Sequence, residues 1–424
     1  MQENNLPPEA ITDKTVFADP DKLHGLLLRL RRHDPFPKVE AEGYRPFWLA
    51  TRHADIIAVE QNAEVFINEP RQAVFSIARE EATLQRTGGV PLHQVMRNIV
   101  AMDGAEHAAF RAMTHSKFIS KSLISLRSEI ESLATEFLDR MEAKGGNCDF
   151  SSEIAMWYPL RVIMTILGVP PEDEANMLRL TQRILSSEDA QFQENGDDNS
   201  AAQAIMELAN YFMPVIADRR KNPRNDIASV IANATYEGKL LEDRDAFGYF
   251  LIIATAGHDT TSYALAGGMH ALLSHPEQLQ KLLANPDLAQ QAAEEMIRWS
   301  APVRHFCRTA TRDIEVAGKQ VKEGDIVMLS YPSATRDEDM FANPFDFNIE
   351  RLPNRHLAFG TGPHVCLGQH LARLELASFL REFVKRIEHI EQTGPAQFVE
   401  ATFVGGVKSL PVRYRFRDSA ATAN

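Results

Sequence analysis

The sequence predicts a mainly α-helical fold with a small β-rich subdomain, organised as one unit over residues 1–424. Apolar residues recur at helical spacing through most of residues 105–299, whereas strand-like alternation is confined to short stretches near the two ends. No linker-like shift in composition separates the two kinds of segment, and the late strands need early ones for pairing.

At 44% hydrophobic and 24% charged residues, the 424-residue chain has the proportions of a globular protein with a large core, which excludes disordered, collagen-like and coiled-coil classes. Its 45 Lys and Arg against 58 Asp and Glu give a formal charge of −13, which argues against nucleic acid or anionic membrane as a general partner. Three cysteines, Cys148, Cys307 and Cys366, are too few, and odd in number, for a disulfide framework; they fit a reducing compartment. Residues 1–8 have neither the basic start nor the apolar run of a secretory signal, so a cytoplasmic location is expected.

Residues 37–51 read as extended segments around the turn at Glu42-Gly43, and residues 53–62 as a short amphipathic helix. Between residues 69 and 100 the periodicity weakens around Gly88-Gly89 and Pro91, which predicts a long loop with short helices. Helical spacing then runs over residues 105–143, closed by Gly145-Gly146, and over 156–167 and 170–186. Residues 188–200 are polar and read as a mobile connection. Helices are expected again over 201–220, 243–274, 276–284 and 287–299, where Pro302 enforces a stop. Residues 249–273 are long enough to cross a bilayer, but His258, Asp259 and His270 interrupt them, so the segment reads as a helix of roughly 45 Å for 243–274, buried in protein. Residues 314–316, 321 and 326–329, joined by turns at Ala317-Gly318-Lys319 and Glu323-Gly324-Asp325, predict a small antiparallel sheet. An irregular meander over 337–359, an apolar-striped helix over 367–387 and a terminal strand over 409–416 complete the chain.

Chemistry concentrates in Phe359-Gly360-Thr361-Gly362-Pro363-His364-Val365-Cys366-Leu367-Gly368, a Gly-rich loop that places Cys366 where a helix begins. Backbone N–H groups and the helix dipole there favour a thiolate, and the glycines let main chain pass close to a flat ligand. A lone cysteine at a helix start is more often simply buried, the reading kept for Cys148 and Cys307. The run from Phe359 to Gly368 resembles the haem-binding signature of the cytochrome P450 family, Phe-x-x-Gly-x-x-x-Cys-x-Gly, with Phe359, Gly362, Cys366 and Gly368 filling every defining position. The resemblance implies that haem lies between the long central helix and the helix after the cysteine, with Cys366 as the iron ligand.

Glu295 and Arg298 stand one helical turn apart, a spacing that solvated helix faces also produce. The resemblance implies that the pair is buried with Arg351 as a structural clamp. Ala256-Gly257-His258-Asp259-Thr260-Thr261 places polar groups in the most apolar helix; satisfied core polarity would explain this, with Thr260 bonding back to a carbonyl. It resembles the family's oxygen-activation motif, which makes Asp259 and Thr260 the proton-delivery pair and leaves His258 without a role. His107 and Arg111 share a helix face, and with Arg308 and His364 they are implied to anchor the haem propionates.

By the same resemblance, substrate contacts fall on Phe75 and Leu84 before His107, on Ile252, Thr255 and Ala256 of the central helix, on Val303 and Phe306, and on the late turn with Phe403 and Val404. Each of them also reads as core. Their apolar character suits a small or medium hydrophobic substrate, with terpenoids and alkyl-aromatics implied by likeness to the monoterpene-hydroxylating branch. The expected activity is haem b-dependent insertion of one atom of O2 into a C–H bond; a peroxide-driven peroxygenase and a non-enzymatic haem sensor are the alternatives. No dinucleotide or flavin fingerprint is present, so electrons are expected from a ferredoxin and ferredoxin reductase, meeting a basic patch of Lys117, Lys121, His370 and Arg373 on a monomeric chain.

Overall fold

Ile326–Ser330 is buried at every position, a pattern that demands cover on both faces and hence a central place in a sheet. It runs parallel to Phe47–Ala50 and antiparallel to His305–Ala310, inside a five-stranded sheet whose outer strands are Lys38–Val39 and Phe66–Ile67. Val327 and Leu329 pack with Phe36 and Ile56 on one face, while Ile326 and Met328 pack with Leu26 and Phe47 on the other. The small antiparallel sheet predicted from the late strands therefore does not form as one unit. Ile314–Val316 and Lys319–Val321 make a separate hairpin, and Ile326–Ser330 leaves it to join the early segments. The terminal strand Pro411–Phe416 pairs with Ile387–Gln392 and with Asn147–Asp149. The computed structural model describes residues 1–95, 97–193 and 200–417, so part of the polar connection expected over 188–200 lies outside the described residues.

The helical layer is built around Asp259–Ser274, which is buried along nearly its whole length. Small residues set how closely its neighbour approaches: a Cβ on Gly268 would sit 2.2 Å from Met296 Cε on the helix Ala289–Ser300. The single helix predicted over 243–274 is instead two, Asp243–Ala256 and Asp259–Ser274. His258, at φ −122° and ψ −50°, leaves helical geometry, and the Thr260 hydroxyl donates to the Ala256 carbonyl at 3.1 Å across the break. The helix expected over 105–143 is likewise divided, because Ile119 turns extended between Gly104–Phe118 and Ser120–Leu123 before Arg127–Ala143 resumes. Among the described residues no helix is long and apolar enough to cross a membrane.

Glu295 and Arg298 are fully buried and joined by two bonds of 2.7 Å, from Nε to Oε2 and from Nη2 to Oε1. The carboxylate also accepts from Arg351 Nε at 3.2 Å, from the Asn348 backbone N–H at 2.9 Å and from Asn354 Nδ2 at 3.0 Å. Arg298 in turn donates to the carbonyls of Thr335 and Pro344 at 2.8 and 3.0 Å, fastening the meander to the helix. Removing one member leaves an uncompensated charge in a fully buried site, so Glu295→Ala is expected to cost about 3–5 kcal/mol. Arg351→Ala, at a partly accessible guanidinium, is expected to cost about 1–3 kcal/mol. Denaturant unfolding of the three proteins checks the order, and an Arg351 variant as unstable as the Glu295 variant would refute it.

Candidate active site

The meander ends in the cysteine loop, whose shape is fixed by its own backbone: Gly360 N–H donates to Leu357, Val365 N–H to Gly362 and Cys366 N–H to Phe359. Gly362 sits at φ +68°, and a Cβ there would come 2.5 Å from the Glu60 carbonyl oxygen. Glycine is required on both counts, and the loop is thereby pressed onto the helix His53–Gln61. The helix expected over 367–387 begins slightly later, at Gln369–Arg386, with Gly368 as its N-cap. Cys366 opens onto a cavity between this helix and the central break, which makes its sulfur accessible from the cavity although protein surrounds it. Burial pushes the thiol up, while the Gly368 N–H and then the Arg111 guanidinium pull the other way. Enclosure and these donors oppose each other at the sulfur, and a cation bound there would make the thiolate the stable form.

His107, Arg111, Arg308 and His364 all reach the wall of this cavity. The two imidazoles stack with centroids 3.8 Å apart. His364 Nε2 accepts from Asn68 Nδ2 at 2.8 Å, and Asn68 is itself held by Asp103. Arg111 donates to the Val365 carbonyl at 2.6 Å, and Arg308 pairs with Glu60 at 3.3 Å. Burial, followed by the Arg111 charge, pushes His107 down to about 4. Burial and these neighbouring cations push His364 down as well. Such crowding of donors around a largely apolar cavity suits a ligand that brings carboxylates of its own.

On the opposite wall, Thr260 faces the cavity, but Asp259 does not line it. The Asp259 side chain is fully buried and turned to His258, whose Nε2 lies 2.8 Å from its Oδ1. Of the nine expected substrate contacts, Ile252, Ala256, Val303 and Phe306 line the cavity. Phe403 and Phe75 form a layer behind Phe306, with centroids 5.5 Å from Phe306 to Phe403 and 6.3 Å on to Phe75. Thr255 is buried on another side of the helix, its hydroxyl donating to Leu251 at 2.8 Å, because a one-residue step turns a helix by about 100°. Val404 packs with Met156 and Tyr263, and Leu84 is 43% exposed on the helix Ile77–Arg86. Sequence reasoning missed Ile99, Val100, Ile163, Ile297 and Glu375 on the cavity wall, and also Glu60 and Tyr331, which meet there at 2.7 Å.

His305, which fixes the aromatic layer, is fully buried; its Nδ1 donates to the Thr402 carbonyl at 3.0 Å and its Nε2 accepts from the Val74 N–H at 3.1 Å. Burial lowers it to about 4 from the ordinary 6.5. The folded state thus binds fewer protons than the unfolded one below pH 6.5, and stability falls as pH drops from there towards 4. At about pH 5 this one group is expected to cost about 2 kcal/mol relative to pH 7, a slope that His305→Gln lacks. Urea unfolding of both proteins at the two pH values measures the difference, and equal slopes would refute it.

The donor set fits a haem. Gly368 has open space where a Cβ would stand, and among the described residues no three His, Cys, Asp or Glu side chains gather to hold a bare metal ion. Cys366 would then supply the one protein ligand and the basic wall the carboxylate partners. The cytochrome P450 family model matches residues 57–415. Cytochrome P450-terp of a Pseudomonas species is 38% identical over 407 residues, covering 94% of this chain and 95% of its own. The crystal structure of CYP108D1 from Novosphingobium aromaticivorans superposes with a TM-score of 0.90 at 38% identity, over 98% of this chain and 100% of that one. CYP268A2 of Mycobacterium marinum, solved with pseudoionone, gives a TM-score of 0.87 at 27% identity over 97% and 99%. A cysteine aimed into a cavity between two helices, a basic wall beside it and these likenesses over almost the whole length agree, and the chain belongs to the cytochrome P450 family as a haem-thiolate monooxygenase.

Proposed function

We propose that this monooxygenase inserts one atom of dioxygen into a C–H bond of a small or medium hydrophobic substrate, a terpenoid or an alkyl-aromatic, with electrons from a ferredoxin and its reductase. The observation that carries the substrate class is the wall beside Thr260, where Val100, Ile252, Ala256, Val303 and Phe306 offer hydrocarbon and the charged groups stand elsewhere. The name of P450-terp and the pseudoionone held by CYP268A2 agree with that class.

Haem b, when bound, supplies the oxygen and electron-transfer chemistry. Cys366 holds its iron, Phe359, Gly362 and Gly368 shape the loop to admit the ring, and His107, Arg111, Arg308 and His364 hold its carboxylates. Thr260 keeps a hydroxyl proton at the cavity wall, donated to the Ala256 carbonyl at 3.1 Å until a better acceptor stands in the cavity. Phe306 and Val303 exclude water and set the substrate by shape. Arg373, expected in the docking patch, is engaged by Glu294 through bonds of 2.7 and 2.8 Å, because the two residues face each other across neighbouring helices. Lys121 and His370 remain exposed, with Lys117 half-buried beside them, and form the surface on which an acidic ferredoxin would act.

Product analysis with a ferredoxin, its reductase and a panel of terpenoids and alkyl-aromatics tests the reading directly. Turnover of several panel members is expected, with a perturbed haem absorbance on their binding; no binding and no product from any of them would sink it. Thr260→Ala is expected to keep its haem and lower product formation by about 10²-fold. Phe306→Ala is expected to change regioselectivity while leaving haem content intact, as read from the product distribution.

A further inference from the structure

The break at Gly257-His258 turns two ionisable side chains towards each other in a place closed to solvent. His258 Nε2 lies 2.8 Å from Asp259 Oδ1, and neither side chain has any exposure. The other ring nitrogen, Nδ1, faces the Ala254 carbonyl at 3.2 Å. A carbonyl only accepts, so Nδ1 carries hydrogen. The third neighbour is Thr181, from the helix Glu174–Leu185. Its hydroxyl lies 2.9 and 3.1 Å from the carbonyls of Met177 and Leu178 and 3.3 Å from Nε2, so it can meet that nitrogen in either protonation state.

Neutral His258 with hydrogen on Nδ1 would therefore set an unprotonated Nε2 2.8 Å from an oxygen of an ionised carboxylate. The other neutral tautomer would set a bare Nδ1 against the Ala254 carbonyl. Either arrangement is repulsive where no water can intervene. Neither oxygen of Asp259 meets a well-aligned donor, and among the described residues no lysine or arginine pairs with it. Tyr263, one turn on, shares a hydrogen bond with the Ser186 hydroxyl at 3.1 Å, and its phenol is pushed well up by burial and by the Asp259 charge, so it is no source of protons. A single added proton relieves that contact: on Nε2 it makes an imidazolium beside a carboxylate, and on Oδ1 it makes a neutral acid beside a neutral imidazole.

We propose that His258 and Asp259 hold one proton between them in the resting protein, so that His258 is the positioning residue that keeps Asp259 charged with a transferable proton beside Thr260. When a proton leaves the Asp259 carboxyl for an acceptor in the cavity beside Thr260, the pair is left as carboxylate and Nδ1–H imidazole, with the Ala254 bond unchanged, the arrangement whose repulsion draws the next proton back to the pair. The use of that proton rests on the monooxygenase reading; its presence does not.

Nitrogen NMR on the holoprotein labelled at histidine, in the diamagnetic ferrous carbonyl form, reads the pair without turnover. The expected result is a protonated or strongly hydrogen-bonded Nε2 and a protonated Nδ1 on His258 from pH 6 to pH 8, assigned by the signal lost in His258→Gln. A free, unprotonated Nε2 at neutral pH would overturn the proposal. As a second arm, His258→Phe fills the ring's volume without a proton. It is expected to lower product per electron about 10-fold, with haem content and substrate KM unchanged, whereas coupling equal to the parent protein would overturn it. Failure of the parent protein to oxidise any of the panel would count against the proposed function and leave the NMR result standing.

Discussion

The Glu295 carboxylate is the constraint from which the active-site geometry follows. Two guanidiniums, a side-chain amide and a backbone N–H converge on it in a fully buried site, and every one of those donors except Arg298 comes from the meander. An isolated charge there would be expelled, whereas a saturated one holds irregular chain in a single path. That path delivers Phe359 to Cys366 at one height above the helix Gln369–Arg386. The second anchor is Glu60, which accepts from Tyr331 at 2.7 Å and from the Thr361 N–H at 2.9 Å, so the loop is held from both sides.

Legibility followed sequence distance. The cysteine loop, Glu295 with Arg298, and His107 with Arg111 each place their chemistry within about ten residues, and one helical turn or one tight loop decides what faces what. Glu60, Tyr331 and Asn354 gave no signal, because each acts on a partner brought close only by the finished fold. The strand His305–Ala310 was hidden for another reason. Its buried positions include His305 and Arg308, which bond within the structure, and Thr309, and these polar residues erase the alternation by which a strand is recognised. Leu84 shows the opposite error: an apolar residue in the right loop, placed on the outer face of a short helix.

Buried ionisable groups in this protein divide by how their charge is met. Arg304 reaches the carbonyls of Ala401, Val399 and Phe17, and burial lowers it only to about 10, so it stays charged and binds three segments together. Glu375, on the cavity wall, has no partner for either oxygen among the described residues, and burial alone raises it well above the carboxylate range. His258 and Asp259 belong to neither class, since each is the nearest counter-charge of the other. That is why one proton, rather than a fixed charge, balances the site.

The helix Glu174–Leu185 is what makes this pair more than a local arrangement. It meets the central helix through Thr181 at His258, and the residue after it, Ser186, meets Tyr263. Just beyond, Glu188 is held by Arg79 at 3.3 Å and Asp189 by Lys408 at 2.7 Å, which ties the same segment to the short helix before His107 and to the late turn near Phe403. The helix Ile77–Arg86 and the late turn are therefore bonded to the chain just after the helix whose Thr181 faces Nε2. The ion pairs of Glu188 and Asp189 thus fix the chain that follows the helix carrying Thr181, and with it the contact that Thr181 makes at His258.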